Sequence, residues 1–310
     1  MWRDEAFHNR TKMTLAPIAL FVYNRLWHTQ QTVESLQKNE LADASDLFVF
    51  SDGPKSEADK DKVRAVRNYL KTVEGFRSVT VFEQERNLGL AQSIIAGITD
   101  IVGRFGKIIV LEDDIVSSQY FLRFMNEALE YYKDEDKIIS IHGYIYPIKS
   151  RLPDTFFLRG ADCWGWGTWK RGWELFEPDG KRLLNELNAR GLTRQFDLDS
   201  SYDYTKMLED QVSGKNDSWA IRWYASAFLK GKLTLYPGKS LVRNTGTDSS
   251  GTHCGTSNIF ETAVSCERNG INAISIEENI FARKAIIHYF RSMKKSYSWP
   301  FLNFFFVINK

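Results

Sequence analysis

The chain has 310 residues, 43% of them hydrophobic and 26% charged, an ordinary composition for a globular protein with ample core. Its 41 lysines and arginines stand against 39 aspartates and glutamates, and a net charge of +2 asks for no nucleic-acid partner. Cys163, Cys254 and Cys266 lack C-x-x-C spacing, which argues against a disulfide framework or zinc site and for a reducing compartment.

The first twelve residues are polar and charged, with no apolar core of a signal peptide, so a cytoplasmic location is expected. From there the chain alternates. Residues 18–23 read as a strand and 29–38 as a helix; 47–50 form a strand that ends in Ser-Asp52-Gly-Pro; 57–73 have helical periodicity. A strand at 79–82 precedes a helix at 90–102, and the apolar run 108–111 precedes a helix at 119–132 and a strand at 138–141. Alternation of this kind implies βαβ units, a parallel sheet, and strand C-termini gathered on one edge. After Gly143 the alternation stops. Residues 144–200 are rich in Trp, Gly and Pro, helical patterns return at 202–212 and 219–229, short strands are expected at 233–236 and 241–243, and 244–258 read as a loop. We divide one folded unit into a first half, 1–143, a second half, 144–290, and a tail, 291–310. The aromatic run Trp299 to Ile308 is too short to span a bilayer, which takes roughly 20 residues. With Arg291, Lys294 and Lys295 before it, the tail suits peripheral contact with an anionic membrane surface.

The strand at 108–111 ends in Glu112, Asp113 and Asp114. A buried strand cannot carry three carboxylates, so they emerge at its C-terminal end, on the edge where open α/β sheets bind ligands. A hard divalent cation held by Asp114, with phosphate oxygens completing its shell, would relieve their repulsion. The other strands deliver Asn24 and Arg25, Asp52, and the loop that contains Arg86 to this edge. Asp52 can accept from a base or ribose, and Arg25 or Arg86 can reach phosphate. No G-x-G-x-x-G or Walker loop is present, so the diphosphate needs another counter-charge. Trp164, Trp166 and Trp169 lie among glycines, where they can stack on a pyranose or build a local aromatic core. His253, in the late loop, is a candidate metal ligand or diphosphate contact.

The segments FVYNRLWHT (21–29), FSDGPK (50–55), RNLGLAQSI (86–94), VLEDDIV (110–116), CWGWGTWKRGW (163–173) and the stretch from Asp217 to Gly246 together resemble the GT-A-fold nucleotide-sugar glycosyltransferases. They are most similar to bacterial family 2-like sugar transferases and, more distantly, to the Golgi N-acetylglucosaminyltransferase that initiates complex N-glycans. The resemblance implies a Rossmann-like, mostly parallel central sheet flanked by helices, with a smaller acceptor-side subregion. It implies transfer, with inversion, from a nucleoside diphosphate sugar, UDP-sugar favoured, to a saccharide or glycolipid acceptor in surface polysaccharide or lipopolysaccharide synthesis. By position, Asp114 would ligate Mn2+ or Mg2+, Glu112 and Asp113 would touch the donor sugar or ribose, and Asp52 would face the base. Asn24, Arg25 and Arg86 would line the nucleotide pocket, and Trp164, Gly165 and Trp166 would sit over the sugars. Asp217 would be the general base. In the Golgi relative an acidic pair directly precedes the tryptophan; here Ser218 stands between Asp217 and Trp219. Glu209 and Asp210 compete for the base role. Two other classes fit less well: a sugar nucleotidyltransferase needs a glycine-rich basic loop that residues 14–25 lack, and a non-catalytic carbohydrate-binding module needs no acidic triplet.

Overall fold

The computed structural model describes residues 14–246 and 258–296. The first half runs β1 (Ile18–Val22), α1 (Leu26–Gln37), β2 (Asp46–Ser51), α2 (Lys60–Leu70), β3 (Ser78–Glu83), α3 (Leu90–Phe105), β4 (Lys107–Glu112), β5 (Ile115–Ser117), α4 (Phe121–Tyr131) and β6 (Ile138–His142). The second half runs β7 (Thr155–Arg159), β8 (Trp166–Trp169), α5 (Lys170–Trp173), α6 (Gly180–Ala189), α7 (Thr193–Phe196), α8 (Tyr204–Val212), α9 (Trp219–Leu229), β9 (Leu233–Pro237), β10 (Val242–Asn244) and α10 (Ile280–Ser296).

Eight strands form one mostly parallel sheet in the order β3-β2-β1-β4-β8-β6-β9-β7, flanked by helices; β8 and β7 run against the others. This is the α/β architecture expected from the alternation. The central strands are apolar throughout: every residue of β1 is buried, as are Ile108 to Leu111 of β4. Such continuous runs suit strands covered on both faces. Register sets the functional edge. Phe21 of β1 pairs with Glu112 of β4, and Val22 with Ser51 of β2. The residues that follow these three strands therefore leave the sheet side by side.

The helix ends carry their own signals. Gly106, at φ 77°, closes α3 with its N–H on the Val102 carbonyl. Asp179 caps α6 through the N–H groups of Lys181 and Arg182. Ser218 caps α9, accepting from Ile221 N–H at 3.2 Å.

The expected loop of tryptophans is the main correction. Residues 166–169 form β8, wedged between β4 and β6, and Trp166 is 0% exposed. Its ring stacks on Trp219 at 5.7 Å and lies 5.4 Å from Trp223, while Trp173 lies 5.3 Å from Trp223. Trp164 packs edge-on against Tyr144 at 4.8 Å and Phe260 at 6.2 Å. Gly165 has φ 59°, and a Cβ there would sit 2.9 Å from Val242 Cγ1. These residues build a layer of the core and do not present ring faces to a sugar. The glycines flanking the rings permit close strand packing rather than loop freedom.

Truncating Trp166 to Ala should therefore cost about 3–5 kcal/mol of folding stability. Chemical denaturation followed by far-UV circular dichroism measures this; a loss under about 1 kcal/mol would contradict the core assignment.

Candidate functional site

The acidic triplet lies where the register puts it. Arg25, just past β1, turns its guanidinium onto the two acids that follow β4. Nη2 bonds Asp113 Oδ1 and, at 2.8 Å, Asp114 Oδ2, while Nε reaches Asp113 Oδ2 at 3.3 Å. Burial works against the arginine's charge, and the two carboxylates more than restore it. The backbone of the triplet is tied as well: Thr32 Oγ1 donates to the Asp113 carbonyl at 2.7 Å, and Thr245 N–H to the Asp114 carbonyl at 2.8 Å. β10 pairs with β5, which brings residues 244–246 over Asp114. A Cβ at Gly246 would lie 2.3 Å from Asp114 Oδ2, so a larger residue there would have to displace the Asp114 carboxylate. Burial, with Asp114 and Asp113 beside it, pushes Glu112 up to about 8.

The charge expected to attract a cation is thus largely met by Arg25. Among the described residues, no three His, Cys, Asp or Glu side chains form a ligand group. A hard cation that arrives with substrate phosphates needs only one or two protein carboxylates, however. Asp114 suits that chemistry: its Oδ2 accepts from Arg25, and its Oδ1 accepts no hydrogen bond among the described residues. His253, the other expected ligand, lies outside the described residues.

Asp52 is committed elsewhere. Its Oδ1 accepts from Gly53 N–H and Leu88 N–H, both at 2.8 Å, and its Oδ2 from Gly89 N–H and Asn87 Nδ2, both at 3.0 Å. A carboxylate has about four acceptor sites, so Asp52 clamps the 87–89 loop at the start of α3. A base N–H reaching it would share an oxygen already in use. The loops touch closely here, since a Cβ on Gly53 would meet the Arg86 carbonyl carbon at 2.4 Å. Arg86 itself is exposed, with no ion-pair partner among the described residues. Asn24 donates to Asp59 Oδ1 at 2.9 Å and so pins the 55–59 loop across the end of β2.

Asp217 stands apart from the triplet, just before the Ser218 cap. Its side chain is 56% exposed and pairs with Arg222 Nη2 at 3.3 Å. Arg222 is buried and anchored on the carbonyls of Ser218 and Pro178. Together they line an open cleft of about 630 Å3 whose other wall is α3, from Ala91 to Asp100. Asp210 faces Lys206 and Lys215 instead. Burial pushes its carboxyl up, but the two ammonium groups overcome this and hold it below the usual range, a poor setting for a base. Glu209, beside it on α8, is exposed and lies outside the cleft wall.

Three contributors were not singled out in the sequence. Arg67 of α2 bonds the Gln84 carbonyl at 2.7 Å and the Asp52 carbonyl at 3.2 Å, tying the ends of β2 and β3 together. Its signal was a charge on the same helix face as Val63, Val66 and Leu70. Cys163 is buried close to Glu112 and Asp114; burial first, then these carboxylates and Asp162, drives its thiol well above the usual range. Asp162 is buried too, accepting from Tyr236 Oη at 2.7 Å, and burial raises it to about 6 despite that bond and one from Tyr146.

No family model matches the chain, and no curated protein matches it either. Similar solved structures include a mannosyltransferase from Pyrobaculum calidifontis in complex with GDP-Man and Mn2+, at 12% identity over 44% of this chain and 40% of that one, with a TM-score of 0.32. Residues 1–349 of S. aureus TarS match at 11% identity over 75% of this chain and 61% of that one, TM-score 0.40. A UDP-glucose pyrophosphorylase complexed with UDP-glucose matches at 11% identity over 72% of this chain and 90% of that one, TM-score 0.35. The chain spans less than two thirds of the first two, and likeness this distant carries no argument about the site.

Asp162 gives a pH test of the core beside the triplet. With its folded pKa raised to about 6, the unfolded chain releases this proton first, so its contribution to stability falls as pH rises from about 4 to 6. Urea midpoints for wild type and Asp162→Asn at pH 4, 5, 6 and 7 should diverge across that window, the variant lacking this loss. Parallel curves would show that Asp162 is ionised in the fold.

Proposed function

We propose that the chain is a nucleoside diphosphate sugar-dependent glycosyltransferase, inverting at the anomeric carbon, with UDP as the favoured nucleotide and a saccharide or glycolipid hydroxyl as acceptor. The observation that carries this reading is the meeting of Arg25 with Asp113 and Asp114 at one sheet edge, flanked by the 53–59 and 86–89 loops. That edge offers fixed charge of both signs to a diphosphate and polar loop backbone to a nucleoside. The setting we infer, from the resemblance, is surface polysaccharide or lipopolysaccharide assembly on the cytoplasmic side of a membrane. No helix among the described residues is long and apolar enough to cross one, and the aromatic tail lies outside them.

In this reading Arg25 binds the donor phosphates and Asp113 acts through it, holding the guanidinium in place. Glu112 lies toward the donor sugar. Asn24 and Arg86 line the nucleotide side through the loops they belong to, and Asp52 keeps the 87–89 loop in shape. Asp114, through the Oδ1 that accepts no hydrogen bond among the described residues, is the residue that would hold Mn2+ or Mg2+, which when bound would stabilise charge on the departing diphosphate. The acceptor oxygen attacks the anomeric carbon as the bond from that carbon to the diphosphate oxygen breaks. The acceptor proton passes to the Asp217 carboxylate, which Arg222 orients.

Two substitutions test these roles. Asp217→Asn should lower kcat about 10²–10⁴-fold while UDP binding, read by calorimetry, stays near wild type. If that variant turns over normally and Asp210→Asn does not, the base is Asp210. Asp114→Asn should remove the Mn2+-dependent part of the UDP-induced thermal shift; an unchanged Mn2+ response would take the cation away from Asp114.

A further inference from the structure

We propose that the cleft between α3 and the Asp217–Arg222 wall binds the acceptor, and that the acceptor is a neutral oligosaccharide rather than a single sugar; this rests on the glycosyl-transfer reading above. Direction comes first. β9 runs parallel to β6, and α9 leads into it, so α9 starts at the C-terminal edge of the sheet, as α3 does after β3. Asp217 and Ala91 therefore mark the end of the cleft nearest the acidic triplet. From that end the cleft follows α3 down to Asp100, a helical rise of about 13 Å. This length exceeds one pyranose ring.

The lining defines the ligand class. Gln92 and Ala96 are exposed along the wall, Ile95 is half-buried, and the Thr99 hydroxyl donates to the Ile95 carbonyl and accepts from Trp173 Nε1; the Gln92 amide beside small apolar surface suits the hydroxyl and C–H faces of sugars. Charge narrows it further. Both acids of the wall are paired within the chain, Asp217 with Arg222 at 3.3 Å and Asp100 with Arg104 at 3.0 Å. Among the described residues the wall's single cation, Arg222, is the one paired with Asp217, so none is left for a phosphate or uronate, which a charged saccharide would require. The exposed Asp217 carboxylate, which the reading above makes the base, lines this same cleft, and Arg222, fixed by two backbone carbonyls, pairs with it.

Ala96 is exposed and midway along the cleft, so Ala96→Trp should block it without disturbing the core. The probes are neutral mono-, di- and trisaccharides of glucose, galactose and N-acetylglucosamine, with glucuronic acid disaccharides as the charged arm, each measured by saturation-transfer NMR in the presence of UDP. Wild type should bind at least one neutral trisaccharide about tenfold more tightly than its monosaccharide, and Ala96→Trp should lose that gain. Gln92→Ala should weaken trisaccharide binding in the same direction by a smaller factor. Equal trisaccharide binding by wild type and Ala96→Trp, preference for the charged arm, or no neutral oligosaccharide bound at all would each overturn the assignment. UDP binding by the wild-type chain separates the two claims. Its absence removes the transfer reading itself, whereas its presence with an unaffected Ala96→Trp variant removes only the cleft.

Discussion

The pairing of Arg25 with Asp113 and Asp114 is the constraint on which the functional edge depends. Three consecutive carboxylates at the end of a buried strand repel each other and resist desolvation, and a fold that places them there needs a cation within reach. The neighbouring strand supplies it. Because Phe21 and Glu112 are level in the sheet, the residues just past β1 and β4 leave together, and the side chain of Arg25 spans both acids. A slip of one residue in that register would turn the arginine to the opposite face and leave the acids unpaired. Thr32 from α1 and Thr245 from the turn after β10 then fix the triplet's backbone from two sides. The charge pair thus draws a helix of the first half and a turn of the second onto the same few atoms.

The acids around this edge show how environment divides labour among residues of one type. Asp52 spends all its acceptor capacity on a loop. Asp162 is sunk among tyrosines and keeps its proton at moderately acidic pH. Asp210 is neutralised by two lysines. Asp114 retains an oxygen without a hydrogen bond among the described residues, and Asp217 remains exposed beside one buried arginine. Of these five, Asp114 and Asp217 each keep an oxygen that accepts no hydrogen bond among the described residues, and no feature of composition or spacing separates them from the others.

What the sequence discloses follows from whether the signal is local. The apolar runs of β1, β2 and β4 and the periodicity of α2 and α3 are properties of short windows, and those elements lie within a few residues of expectation. The exit of three acids from a buried run was also readable, because burial forbids the alternative. The second half was harder. β7 and β8 are stabilised by partners elsewhere in the chain, β8 lying antiparallel between β4 and β6, and neither the buried run Thr155–Leu158 nor the Trp- and Gly-rich β8 carries a two-residue alternation. The tryptophans mislead for a physical reason: a large ring beside glycine suits either a sugar platform or a strand squeezed between others, and only the contacts of Trp166 with Trp219 and Trp223 decide. The duty of Asp52 was hidden likewise, since three of its four partners are backbone N–H groups that any sequence supplies.

Helix capping accounts for the serine between Asp217 and Trp219. The first turn of α9 is buried, and a buried helix start must satisfy its free N–H groups internally. Ser218 does so by accepting from Ile221 N–H, and Asn216 Oδ1 accepts from Ser218 N–H in turn. An acid in the position of Ser218 would also cap, but its carboxylate would be consumed by the helix and shut away with it. Giving the cap to a serine releases the preceding residue: Ser218 and Asn216 are buried while Asp217 between them projects outward. Arg222, one helical turn after the cap, lies on the same side and meets the projecting carboxylate while its other nitrogens hold backbone carbonyls. Placing the cap on Ser218 therefore separates a structural duty from an exposed carboxylate, and the cap fixes the direction in which that carboxylate points.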